Sequence, residues 1–230
     1  MSERIVGVLG GMGPEATVEL LKRIIDSTPA RCDQEHIRVL IDNNPKIPDR
    51  TAAILAGGED PLPMMIAGAR GLECAGADFI LIPCNTAHHW LPGLQGAVSI
   101  PIVDMIGETV GAVSSSAPPI KLVGLLATTG TIKTRLYQRA LEGEGISTAI
   151  PTAEEQDEVM NAIDRIKAGD HGVRRQLMRI IERLITQGAK GLILGCTELP
   201  LVIQEEDVTC PLFDPLSILA QRAVKLAKGG

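Results

Sequence analysis

Short apolar runs recur along the chain, separated by longer stretches in which apolar residues return every three or four positions. The runs at 4–9, 36–41, 79–83, 101–103, 121–126, 147–150, 191–195 and 211–213 have strand length. Between them, 14–28, 60–75, 104–113, 131–143, 152–168, 171–187 and 214–228 carry helical spacing. Strands alternating with helices predict an α/β protein with mostly parallel sheets flanked by helices. Pro14 suits the first turn of its helix, directly after the turn Gly10-Gly11-Met12-Gly13.

The pattern also repeats. Gly76-Ala77-Asp78-Phe79-Ile80-Leu81-Ile82-Pro83-Cys84 is answered by Gly188-Ala189-Lys190-Gly191-Leu192-Ile193-Leu194-Gly195-Cys196, 112 residues later. Ile5-Val6-Gly7-Val8-Leu9 pairs with Leu122-Val123-Gly124-Leu125-Leu126, and Ile100-Pro101-Ile102-Val103-Asp104 with Cys210-Pro211-Leu212-Phe213-Asp214. Three matches in one order at similar offsets predict two related halves. The expected organisation is two pseudo-symmetric α/β domains, residues 104–213 forming the second. Residues 1–103 form the first, completed by 214–230, where the last helix packs back. Ser114-Ser115-Ser116-Ala117-Pro118-Pro119 reads as a breaker and linker.

Composition narrows the function. Twenty-two basic against 28 acidic side chains leave a net charge of −6, which disfavours a nucleic-acid partner. The only aromatic rings besides histidine are Phe79, Trp90, Tyr137 and Phe213, too few for a base-stacking platform. No run of eighteen apolar residues predicts a membrane span. The opening Met1-Ser2-Glu3-Arg4 lacks the features of a signal peptide, and five cysteines do not form a paired disulfide framework. A cytoplasmic protein with reduced thiols is expected.

Cys84 and Cys196 hold repeat-related places at strand ends, where ligands of open parallel sheets bind. Each precedes polar residues, Asn85-Thr86 and Thr197-Glu198, suited to capping a helix whose N-terminus would lower a thiol pKa. Two such thiols facing across a cleft between the halves suit inversion of a stereocentre, with a base on one face of the carbon and an acid on the other. Asn85, Thr86, Thr197 and nearby N–H groups would stabilise the carbanion. Cys32, Cys74 and Cys210 lack this setting and are expected to be structural.

At these residues the chain resembles the aspartate/glutamate racemase family, whose members are cofactor-independent and use two cysteines. The resemblance runs end to end. It rests on Gly10-Gly11-Met12-Gly13-Pro14-Glu15-Ala16-Thr17, Pro48-Asp49-Arg50-Thr51, Pro83-Cys84-Asn85-Thr86-Ala87-His88 and Gly195-Cys196-Thr197-Glu198-Leu199. The Gly-Gly-Met-Gly-Pro-Glu opening and Cys-Thr-Glu are similar to the aspartate racemase branch. The Asp-Ser-Gly opening and Cys-Thr-His usual in peptidoglycan-type glutamate racemases are absent.

The resemblance implies a site between two α/β domains, no cofactor, and a homodimer. It implies aspartate as substrate, with glutamate the second candidate, and Cys84 and Cys196 as the catalytic acid/bases. Asn85, Thr86 and Thr197 would then hold the α-carboxylate or amino group, and Arg50 the distal carboxylate, with Lys167 in a related task. Met12, Thr129 and Glu198 are further candidates for substrate contact. A metal centre at Cys84, His88 and His89 lacks a fourth ligand at suitable spacing; His88 is expected instead to support the Cys84 segment by hydrogen bonds. Within the same fold the alternatives are a hydantoin racemase, in which Arg50 has no second carboxylate to hold, or a maleate-type isomerase with a covalent cysteine. A small-molecule binding protein is the non-enzymatic alternative, and it has no need of paired cysteines.

Overall fold

The structure, a computed structural model, describes residues 3–229. The chain forms two compact units: one runs to Met105 and resumes at Leu216, and the other covers Ile106–Pro215. The first unit contains β1 (Val6–Gly10), α1 (Pro14–Ser27), β2 (Val39–Asn43), α2 (Arg50–Ala56), α3 (Leu62–Cys74), β3 (Phe79–Leu81) and α4 (Leu91–Gln95). Helix α5 (Met105–Ser114) starts at the break. The second unit continues with β4 (Leu122–Ala127), α6 (Thr129–Thr134), α7 (Leu136–Gly143), β5 (Ser147–Ala149), α8 (Ala153–Lys167), α9 (Arg174–Thr186), β6 (Leu192–Gly195) and β7 (Leu212–Phe213). Helix α10 (Pro215–Ala227) then belongs to the first unit.

Both sheets are parallel, with orders β2-β1-β3 and β5-β4-β6-β7. A single parallel bridge, Ile80↔Ile102, stands where β6 pairs with β7 through Leu192↔Leu212. The two sheets therefore share one strand order, as the repeated sequence requires.

Strand alternation sets the cores. Val6, Val8, Phe79 and Leu81 face α1 and α10, packing on Leu20, Ile24, Leu216, Leu219 and Ala223. Leu9, Ile80, Ile82 and Cys84 face the other way, onto Met65, Ala69 and Leu72 of α3. In the second unit Leu192, Leu194 and Cys196 pack on the buried faces of α8 and α9. Each fully buried Leu or Ile contributes about 1.5–3 kcal/mol of transfer free energy. Each cysteine thus follows a buried aliphatic residue, Ile82 or Leu194, by two positions and joins the core of its own unit, Cys84 beyond the end of β3 and Cys196 directly after β6.

Several expected boundaries shift for identifiable reasons. The run at 101–103 makes one bridge, in which the Ile80 N–H donates to the Pro101 carbonyl and the Val103 N–H to the Ile80 carbonyl, each at 2.9 Å. The helix expected over 131–143 is broken: Arg135 adopts φ +56 between α6 and α7. There the Thr134 hydroxyl donates to the Gly130 carbonyl at 2.8 Å, and the β-branched Thr131, Ile132 and Thr134 favour an early stop. Helix α2 was not expected from the pattern. Asp49 caps it by accepting from the Ala52 N–H at 2.7 Å, and Gly57 closes it at φ +63. The segment 114–119 lies inside the second unit, from the last residue of α5 onward, and is not the junction between units. Among the described residues no helix is long and apolar enough to cross a membrane.

Gly11 is a turn residue that the backbone cannot exchange. It has φ +89, and a Cβ there would lie 2.3 Å from the Asn44 carbonyl. Its N–H donates to the Thr17 hydroxyl at 2.9 Å, which ties the turn to α1. Gly11→Ala is expected to cost roughly 2–4 kcal/mol and to lower Tm by about 5–15 °C in a thermal melt.

Candidate functional site

All the candidate residues that follow a strand do so at its carboxyl end, where the loops of parallel sheets gather. In the first unit three loops contribute. Met12 follows β1, is 2% exposed and shares a buried cluster with Ile47 and Cys84. Arg50 opens α2, after β2. Its guanidinium donates to the carbonyls of Pro48 at 2.9 Å and Ile47 at 3.3 Å, while its buried Nε has no partner. Cys84, Asn85 and Thr86 follow β3 and are 6%, 2% and 4% exposed.

His88 locks this segment. Its Nε2 accepts from the Met105 N–H at 3.1 Å, so the proton sits on Nδ1 and is donated to the Cys84 carbonyl at 2.9 Å. Burial holds the imidazole below its ordinary range, outweighing the Cys84 carbonyl and Asp104, which act the other way. The unfolded chain therefore takes up this proton at a higher pH than the folded one. The stability it confers is complete above the ordinary histidine value and is lost as pH falls below it. Thermal melts between pH 7.5 and 5.5 should show stability declining with acidity, by up to about 1.4 kcal/mol per pH unit for this one proton. His88→Gln, which keeps a donor and an acceptor but does not titrate, should flatten that slope.

In the second unit two adjacent strand ends meet, since Ala127 of β4 is in register with Gly195 of β6. Thr128 caps α6 by accepting from the Thr131 N–H at 3.1 Å. Thr129 follows, its hydroxyl oxygen accepting from Gln156 Nε2 at 3.2 Å. After β6, Cys196, Thr197 and Glu198 are 5%, 3% and 4% exposed. The Cys196 thiol donates to Glu198 Oε2 at 2.9 Å, and the Thr197 hydroxyl reaches the same oxygen at 3.3 Å. Lys167 ends α8 with an exposed side chain, and its charge acts on the Cys196 sulfur.

One expectation is corrected here. Neither cysteine opens an α-helix: Cys84 leads into the 3-10 turn Thr86–Trp90, and Cys196 into the single turn Leu199–Leu201. Such short turns carry little macrodipole. At Cys196 the expected depression of the thiol pKa is reversed. Burial raises it well above the ordinary value and the Glu198 carboxylate adds to that, against Lys167 and the Glu198 N–H.

Gln156 escaped the sequence reading. It is buried on α8, where it donates to the Ala127 carbonyl at 3.0 Å as well as to Thr129. The signal was available: Gln156 interrupts the apolar helical stripe continued by Val159, Ile163 and Ile166.

Fold and site define an α/β protein of repeated parallel units, each with a buried thiol beyond the end of a strand. The model of the Asp/Glu/hydantoin racemase family matches residues 9–223, and the chain belongs to that family. It is thereby an isomerase by class. It is 30% identical over 227 residues to the broad specificity amino-acid racemase RacX of Bacillus subtilis, covering 96% of each chain. Among solved structures it resembles the aspartate racemase of Picrophilus torridus, with TM-score 0.89 and 33% identity, covering 98% of this chain and 94% of that one. An aspartate racemase homologue from Pyrococcus horikoshii OT3 matches with TM-score 0.78 and 27% identity, covering 98% and 99%.

Proposed function

We propose that the protein is a cofactor-independent amino-acid racemase that interconverts L- and D-aspartate, with glutamate as a second substrate. The observation that carries this is the equivalent placement of Cys84 and Cys196. Both thiols are buried beyond the ends of repeat-related strands, and each is followed by buried polar side chains. A merely structural cysteine has no need of such a counterpart.

The two thiols address opposite faces of the substrate Cα. In one direction the Cys84 thiolate takes the Cα proton; the C–H bond breaks, an S–H bond forms, and the electron pair passes into the α-carboxylate. The Cys196 thiol then delivers its proton to the other face of Cα and is left as the thiolate. The reverse reaction exchanges these roles. Asn85, Thr86 and Thr197 supply donors to the α-carboxylate, where negative charge grows, and this preorganisation bears the larger share of the barrier. Arg50 receives the distal carboxylate. Its guanidinium is already fixed by two backbone carbonyls, and the buried Nε offers a further donor to a planar acceptor. Met12, Thr129 and Lys167 complete the contacts, Lys167 as a cation near the Cys196 end.

The working form is a cytoplasmic homodimer, in keeping with five free cysteines and with the family resemblance. The test is proton NMR of L-aspartate with the purified protein in D₂O, followed by chiral analysis. Loss of the Cα proton signal together with appearance of D-aspartate is expected without added cofactor. Folded, reduced protein that exchanges neither aspartate nor glutamate would overturn the substrate assignment.

A further inference from the structure

The repeat that equates Cys84 with Cys196 also equates Thr86 with Glu198, and there the two halves part company. Two residues after one cysteine stands a neutral hydroxyl; two residues after the other stands a carboxylate. The carboxylate is 4% exposed, and its Oε2 accepts the thiol hydrogen of Cys196 at 2.9 Å. The Thr197 hydroxyl reaches the same oxygen at 3.3 Å and fixes its position.

We propose that Glu198 holds Cys196 as the protonated thiol in the resting enzyme, so that Cys196 is the resting acid and Cys84 the resting base. This rests on the two-base racemase function proposed above and assigns unequal roles to its two thiols. The thiol hydrogen is the donor that bridges sulfur and carboxylate oxygen at this distance. Ionising Cys196 would place two anions 2.9 Å apart in a buried site. The charged groups acting on the sulfur are Glu198, which opposes ionisation with its carboxylate and favours it with its N–H, and Lys167 at the end of α8, which favours it. The balance lies with burial and the carboxylate.

The chemical consequence is directional. The enantiomer whose Cα–H faces Cys84 meets an enzyme ready to react. Its turnover leaves Cys84 as the thiol and Cys196 as a thiolate beside Glu198, which is the less stable form of the free enzyme. Glu198 therefore touches a reacting atom and sets which half-reaction starts the cycle.

Alkylation of the intact protein by iodoacetamide from pH 6 to 10, with the rate at each cysteine followed by peptide mass spectrometry, tests this without requiring turnover. Glu198→Gln keeps the size of the side chain and removes its charge. It is expected to move the Cys196 profile down by a pH unit or more, so that Cys196 reacts roughly tenfold faster at pH 8, with the Cys84 profile in place. An unmoved Cys196 profile overturns the proposal, and so does an equal shift of both thiols, which would report general loosening. Should Glu198→Gln not fold, Glu198→Asp withdraws the carboxylate by one methylene and is expected to give a smaller shift in the same direction; no shift there overturns the proposal as well. Because alkylation and Cα exchange are read separately, loss of the racemase function and loss of the Glu198 role give different results.

Discussion

Replacing either Cys84 or Cys196 by serine is expected to reduce racemisation by roughly 10²–10⁴-fold or more, the share that a positioned acid or base contributes. Serine keeps nearly the same shape, so the buried clusters around each position should survive and circular dichroism should be unchanged. A hydroxyl is too weak an acid to protonate the carbanion and too hard to ionise to remove the Cα proton. Each variant nevertheless keeps one working thiol. In D₂O, Cys196→Ser should still exchange the Cα proton of the enantiomer that faces Cys84, without releasing its mirror image. Cys84→Ser should act on the other enantiomer, and more slowly, because its remaining thiol is buried beside Glu198. Full racemisation by either single variant would show that one thiol suffices and would remove the two-base mechanism.

Arg50→Ala should raise KM for aspartate strongly and leave the fold almost intact. A charge-assisted hydrogen bond contributes about 1.5–3 kcal/mol, which corresponds to roughly 10- to 100-fold in kcat/KM. The structural loss is smaller, because Arg50 gives only two hydrogen bonds to nearby carbonyls of its own loop. Arg50→Lys should recover little, since an ammonium cannot match a carboxylate with two parallel donors. The informative control is an amino acid without a distal carboxylate, such as alanine: any activity toward it should be insensitive to the change. Equal losses for aspartate and alanine would mean that Arg50 supports the loop and not the substrate.

What the sequence disclosed and what it hid follow from the range of the forces involved. The strands were legible because buried parallel strands need near-continuous apolar runs, as in Val6-Gly7-Val8-Leu9 and Leu122-Val123-Gly124-Leu125-Leu126. The repeat made Cys84 and Cys196 comparable, which neither position achieves alone. Helix α2 was missed because its seven residues show no long period; only the capping Asp49 and the closing Gly57 mark it. The break at Arg135 was hidden for a similar reason, since the side-chain to backbone bond of Thr134 decides it locally. The state of the Cys196 thiol is not legible in sequence because a strand end followed by polar residues reads as a helix N-terminus, where the chain makes a 3-10 turn. Its environment is set instead by burial and by one carboxylate two residues away, and a linear pattern does not tell which way that side chain points.

The return of α10 to the first unit has a consequence for how the protein is made. Leu216, Leu219, Ala220 and Ala223 fill the layer under Val6, Val8 and Phe79, and the Ala227 carbonyl accepts from the Arg4 N–H at 3.0 Å. The second unit, by contrast, draws its residues from one uninterrupted stretch, Ile106–Pro215. On the ribosome the half that is translated first therefore waits, with that face of its sheet covered by α1 alone, until α10 emerges. The half translated second can close as soon as it leaves the exit tunnel. Order of synthesis and order of completion are reversed.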